Sequence, residues 1–202
     1  MKILVVADEE SRYYYDHYQP GRLDGVDLIV SCGDLHRSYL EFLVTLGNCP
    51  LLYVRGNHDD AFAEQPPEGC TCIDGDVFVY QGIRFAGLGG SNRYRPDGVN
   101  MYTERQMRWR CLKLRRKLWK YGGVDVLVTH APACGQGDLD TIPHRGFRCF
   151  LKLMEKYRPR YMLHGHVHRN YGFKIPVTRK YMDTTIVNAC GAYLLEVQSG
   201  KP

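Results

Sequence analysis

The chain predicts an α/β fold, and three features of the sequence carry that prediction. Apolar runs of strand length recur: Lys2 to Ala7, Val26 to Cys32, Leu51 to Val54, Ile83 to Leu88, Val124 to Thr129 and Tyr161 to Leu163. Strands that are apolar throughout suit a sheet covered on both faces. Helical periodicity falls between them, clearest in Met107, Cys111, Leu114 and Leu118, spaced i, i+4, i+7 and i+11 along one face. Most of the runs then close on glycine and polar residues, which is how such sheets build sites in the crevice beyond their strand ends.

Composition bounds the answer. The chain has 202 residues, enough for one substantial α/β domain, read as a single domain over 1–202. Hydrophobic residues make up 44% and charged residues 24%, which is ordinary for a globular chain. No stretch approaches the roughly 20 apolar residues of a membrane span, so no membrane partner is expected. The apolar start is followed at once by Asp8-Glu9-Glu10 and reads as a first strand, not a signal peptide. Lys and Arg number 27 against 22 Asp and Glu, a formal charge of +5. That mild excess suits a small anionic, phosphorylated substrate without requiring nucleic acid. The eight cysteines include no C-x-x-C pair, so reduced thiols and a cytoplasmic location are expected.

The elements follow in order. After the first strand, Ser11 is placed to cap a helix through the aromatic cluster Tyr13 to Tyr18. A second strand ends at Gly33-Asp34, a helix spans Ser38 to Leu46, and a third strand ends at Gly56-Asn57-His58-Asp59. Residues 61–76 carry Pro66-Pro67 and Gly69 and read as a surface loop. Val77 to Tyr80 and Ile83 to Leu88 form a hairpin turned at Gln81-Gly82. Gly89 to Tyr94 has the composition of a phosphate-cradling loop but lacks the lysine and spacing of a P-loop. Thr103 caps a helix to about Tyr121, whose basic outer face reads as a solvated surface ahead of a nucleic-acid reader. Gly122-Gly123 ends it, the next strand runs to His130, and a helix from Phe147 to Tyr157 precedes Tyr161 to Leu163. One or two closing strands lie around Gly191.

Five strand ends therefore carry ligand-type side chains: Asp8 with Glu10, Asp34, Asn57 with His58, His130, and His166 with His168. Buried carboxylates and imidazoles are costly unless paired or bound to metal. Placed on one sheet edge, these supply carboxylates, an amide oxygen and imidazoles enough for two divalent ions. In extended chain His166 and His168 share a face, as do Asp8 and Glu10.

The order Asp8-x-Glu10, Gly33-Asp34, Gly56-Asn57-His58-Asp59, His130 and Gly165-His166-Val167-His168 resembles the calcineurin-like metallophosphoesterases over nearly the whole chain. The resemblance implies a four-layered sandwich, two packed mixed β-sheets flanked by helices. It also implies a two-metal site that cleaves phosphate esters with a metal-activated hydroxide. One ion would be held by Asp8, position 10 and His168, the other by Asn57, His130 and His166, with Asp34 bridging. His58 is the expected general acid, oriented by Asp59. Arg93 and Arg145 are the expected substrate-binding arginines. The expected substrate is a phosphodiester or phosphomonoester, with a phosphodiester or nucleotide-type ester slightly favoured because the chain is short and lacks an obvious lid domain.

Glu10 departs from the family pattern, which has histidine there. Its carboxylate is expected to replace the imidazole, and a harder oxygen-rich site favours manganese, with iron, zinc, magnesium or nickel as alternatives. The same departure motivates the rival reading, a catalytically weakened scaffold of the same fold.

Overall fold

The structure, a computed structural model, describes residues 1–168 and 175–198. In the first half the strands are β1 (Lys2–Ala7), β2 (Leu28–Ser31), β3 (Leu51–Tyr53), β4 (Cys70–Cys72), β5 (Val77–Tyr80), β6 (Ile83–Leu88), β7 (Ser91–Asn92) and β8 (Met101–Tyr102). In the second half they are β9 (Val126–Thr129), β10 (Tyr161–His164), β11 (Thr178–Tyr181), β12 (Thr184–Asn188) and β13 (Gly191–Glu196). The helices are α1 (Arg37–Gly47), α2 (Glu104–Lys120) and α3 (Arg148–Tyr157). One sheet orders its strands β13-β1-β2-β3-β4, the other β11-β12-β10-β9-β6-β5, and β7 pairs with β8 in a two-stranded sheet.

The alternation of side chains along each strand explains why the strands are apolar on both faces. Ile3, Val5 and Ala7 of β1 point into a core between the sheets, where they meet Val30, Leu52, Phe85, Val128, Leu163 and Val187. Leu4 and Val6 point the other way, onto Tyr39, Leu40 and Leu43 of α1. On the far side of the second sheet, Leu88, Leu127 and Met162 pack on Met107, Cys111, Leu114 and Leu118 of α2 and on Phe150 of α3. The layers are thus helix, sheet, sheet, helices, as expected. Each fully buried Val, Leu, Ile or Phe contributes about 1.5–3 kcal/mol from removal of apolar surface from water.

Local chemistry sets the boundaries. Thr103 and Gln106 form a capping box at the start of α2, and Gly122 and Gly123 take positive φ just after its end. Arg110 and Lys117 pair with Asp74 and Asp76, so part of the basic face fastens α2 to the loop before β5. The hairpin turn at Gln81-Gly82 has positive φ at both residues, matching the twist of β5 and β6.

Three expectations need correction. Tyr13 to Tyr18 forms turns, not a helix; the amides of Tyr14 and Tyr15 both donate to the Ser11 carbonyl. The rings of Tyr15 and Tyr18 still pack edge-on against Phe42. Residues 61–76 are more ordered than a surface loop, because Phe62 is buried against Tyr53 and β4 pairs with β3. The edge strand β11 has no counterpart in the sequence reading, since its alternating exposed and half-buried residues carry no apolar run. None of the eight cysteines is joined in a disulfide. Among the described residues no helix is long and apolar enough to cross a membrane.

Candidate metal centre

Strands β1, β2 and β3 run parallel in one sheet, and β6, β9, β10 and β12 run parallel in the other. Their C-terminal ends open onto one crevice. Asp8 follows β1, Asp34 follows β2, Asn57 follows β3, His130 follows β9, and His166 and His168 follow β10. Asp8, Asp34 and His166 have φ of 61°, 57° and 68°, a left-handed conformation that non-glycine residues adopt at a cost of order 1–3 kcal/mol. The turns are held by short-range bonds: Glu9 N–H donates to Ala7 O at 2.6 Å, and Val167 N–H to Gly165 O at 2.8 Å. A Cβ on Gly165 would collide with the Asp8 carboxylate, and one on Gly56 with that of Asp34. Glycine at these two positions lets the two sheet ends close on each other.

Half of the site is buried and convergent. His130, fully buried, lies with Nδ1 2.8 Å from the Cys32 carbonyl, which can only accept, so Nδ1 carries the proton. By the same argument His166 Nε2, 2.8 Å from the Pro143 carbonyl, carries the proton on that ring. The inward atoms are then His130 Nε2, His166 Nδ1 at 3.1 Å from it, Asn57 Oδ1 at 3.1 Å and Asp34 Oδ2 at 3.3 Å. Asn57 Nδ2 faces the Tyr94 hydroxyl at 3.5 Å, which keeps Oδ1 turned inward. Four electron pairs aimed at one point repel each other. One proton on His130 satisfies only part of that set, whereas a divalent cation satisfies all of it. The donor set of two imidazoles, an amide oxygen and a carboxylate therefore fits a metal ion.

The electrostatics point the same way. Burial works to lower His130, yet the charge and hydrogen bond of Asp34 outweigh it and hold its pKa at about 9. Burial works to raise Asp34, and His130 outweighs it in turn, leaving about 2. Burial, with the charge of His130 beside it, pushes His166 down to about 3. Burial raises Asp8 to about 6 against the pull of His130. Carboxylates and imidazoles that shift one another this far in a crevice mark a candidate site for a small multivalent cation.

The other half is open. Both Asp8 oxygens accept from the His166 amide at 2.9 Å. His168 Nδ1 stands 3.1 Å from Glu9 Oε1, and both side chains are partly exposed. The expectation that Glu10 joins Asp8 and His168 is corrected here: the carboxylate that meets His168 is Glu9. Glu10 instead lies where its charge is felt by Tyr39. The physical reason is that β1 ends at Ala7 and Asp8 turns left-handed, so extended-chain alternation does not reach position 10. The shared face of His166 and His168 fails for the same reason, because β10 ends at His164.

His58 is exposed and lines a pocket of about 280 Å³ with Asp34, His36, Arg37 and Phe62. Its amide donates to Asp34 Oδ1 at 2.8 Å. The expectation that Asp59 orients His58 is corrected too, because Asp59 Oδ2 accepts from the amides of Gly56 at 2.7 Å and Asp34 at 2.9 Å. It braces the loop that carries Asp34. Arg93 and Arg145 are exposed on loops tied together by the Asn92 amide, which donates to the Arg145 carbonyl. His144, unassigned from sequence, stacks on His166 with ring centroids 5.2 Å apart. Sequence reasoning also misses Glu9 and Cys190. Cys190 follows β12 as Asp34 follows β2, so the strand-end signal applied to the last parallel strand would have found it.

Comparison with known proteins agrees with the architecture. The chain is 26% identical over 168 residues to the uncharacterised protein MJ1162 of Methanocaldococcus jannaschii, covering 73% of this chain and 72% of that one. The crystal structure of TT1561 of Thermus thermophilus superposes with a TM-score of 0.61 at 14% identity, over 94% of this chain and 89% of that one, which establishes a shared fold. The sequence profile of the calcineurin-like phosphoesterases matches residues 1–170, the span that carries Asp8, Asp34, Asn57, His130, His166 and His168. The chain belongs to the calcineurin-like phosphoesterase family.

Proposed function

We propose that the chain is a metal-dependent hydrolase of phosphate esters, with phosphodiesters or nucleotide-type esters ahead of simple monoesters. The convergence of lone pairs from Asp34, Asn57, His130 and His166 on one buried point carries the reading. Asp34, Asn57, His130 and His166 would hold one divalent ion, and Asp8 and His168 a second, with Asp34 between them. Two such ions, when bound, acidify a water and neutralise charge on the phosphoryl group.

The chain's own residues supply the rest. His58 would protonate the leaving oxygen, and its amide bond to Asp34 fixes it at the rim of the centre. The pocket beside it has room for a leaving group larger than water, and buried Phe62 gives that group an apolar wall. Arg93 and Arg145, on tethered loops, would hold the phosphate or a neighbouring anionic group. Asp59 keeps Gly56 and Asp34 in register, so the carboxylate between the ions stays aimed.

A weakened scaffold is the second reading. It is favoured by one observation, that position 10 offers no imidazole and the carboxylate beside His168 is Glu9. Metal analysis of the purified chain, with a screen of aryl mono- and diesters against several divalent ions, separates the two. Bound metal with ester cleavage supports the hydrolase; bound metal with no turnover on any ester supports the scaffold.

A further inference from the structure

The open half of the centre contains a donor set that the family pattern does not predict. A Glu9 carboxylate oxygen, a His168 ring nitrogen and Cys190 Sγ all lie within 4.8 Å of one another. Donors around one tetrahedral ion, at about 2.0–2.3 Å from it, stand roughly 3.5 Å apart. Rotamer adjustment closes the remaining gap, since the side chains of Glu9 and His168 are 45% and 34% exposed and have room to move.

The backbone holds Cys190 in place. Its segment bridges to Ala7, the residue before Asp8. Buried Asn188 donates to the Val167 carbonyl at 2.9 Å and accepts from the Cys190 amide at 3.1 Å. One side chain thus fixes both the backbone of Cys190 and the turn between His166 and His168. Asp8 lies near enough to feel the charge of His168.

We propose that Cys190 is a thiolate ligand of the second ion, with Glu9, His168 and Asp8, in place of the imidazole missing at position 10. On binding, the thiol proton leaves to solvent as the metal–sulfur bond forms. A thiolate with an imidazole selects a thiophilic divalent cation, zinc or ferrous iron ahead of manganese or magnesium. This inference rests on the two-ion reading above and specifies the chemistry of one of its positions.

Cobalt(II) titration of the whole, metal-stripped chain tests it, because sulfur-to-cobalt charge transfer gives a near-ultraviolet band that nitrogen and oxygen ligands do not. Two equivalents should bind, the band growing with only one of them. Cys190→Ser should lose the band and one equivalent while keeping the visible cobalt bands of the buried position. Glu9→Gln, an exposed change that leaves the core untouched, should weaken the band-forming equivalent about tenfold and serves if Cys190→Ser does not fold. Two equivalents without a sulfur band, or a band that survives Cys190→Ser, would overturn the thiolate assignment alone, and an unchanged titration in Glu9→Gln would overturn the donor set of Glu9, His168 and Cys190 on which it is built. No cobalt uptake would overturn the two-ion reading with it.

Discussion

The two halves of the centre are built by the same means and finished differently. In the buried half each donor has a second partner behind it: Cys32 O for His130, Pro143 O for His166, Tyr94 for Asn57 and the His58 amide for Asp34. Those bonds fix tautomer and orientation, so the inward atoms are set before any ion arrives. In the open half Glu9 and His168 lean on each other at the solvent edge, while Asp8 is held by the His166 amide and the Cys190 backbone by the Asn188 side chain. The family pattern is complete in the buried half and broken in the open one. A lost ligand is tolerable where water and neighbouring side chains can fill in, and ruinous where desolvated lone pairs would face each other.

That contrast can be broken from the largest effect downward. Asp34→Asn removes charge between the two positions, so both ions should be lost together and turnover with them, as metal content will read. If one position fills at the wild-type affinity, Asp34 does not serve both. His130→Ala should empty only the buried position. His58→Ala should retain metal and lose roughly 10²–10⁴-fold in turnover on esters with poor leaving groups. Aryl esters that depart without protonation should suffer less, and equal losses would refute the acid role. Next in size, Glu9→Gln should reduce affinity at the open position, whereas Glu10→Gln should leave it unchanged, as calorimetric titration would show.

The smallest effect lies far from the crevice. Burial pushes Asp125 up, but the bonds and charge of Arg84 outweigh it and leave its pKa below the usual carboxylate value. A lowered folded-state pKa contributes stability above the unfolded-state value and loses it as pH falls through the folded one. Asp125→Asn should therefore cost about 0.5–1 kcal/mol near neutral pH, as expected of a partly exposed pair. Thermal unfolding of mutant and wild type should converge in acid. A gap that persists there would mean the loss is not ionic.

The buried half was legible in the sequence because its signal is local: an apolar run closing on a polar residue, with a glycine just before it at Asp34 and Asn57. Asp34, Asn57 and His130 each follow a strand too apolar to be read otherwise. Core positions of α2 were legible for the same reason, since Met107, Cys111, Leu114 and Leu118 repeat at helical spacing and are all buried. The open half was not legible. Whether Glu9 or Glu10 meets His168 depends on the left-handed turn at Asp8, and no residue-type rule announces that turn. Cys190 carries the strand-end signal of β12, but its nearness to Glu9 and His168 appears only once the closed sandwich brings its segment against Ala7. Asp59 was misread because its partners are backbone amides, which leave no trace in sequence.

Anomalous diffraction from crystals grown with manganese, cobalt or zinc tests the central claim most directly. The account predicts a peak at about 2.0–2.2 Å from Asp34 Oδ2, Asn57 Oδ1, His130 Nε2 and His166 Nδ1 together. Fully loaded crystals with no peak there, and His130 Nε2 still within 3.3 Å of Asp34 Oδ2, would show that a proton and not a metal holds the buried half, and would contradict the account.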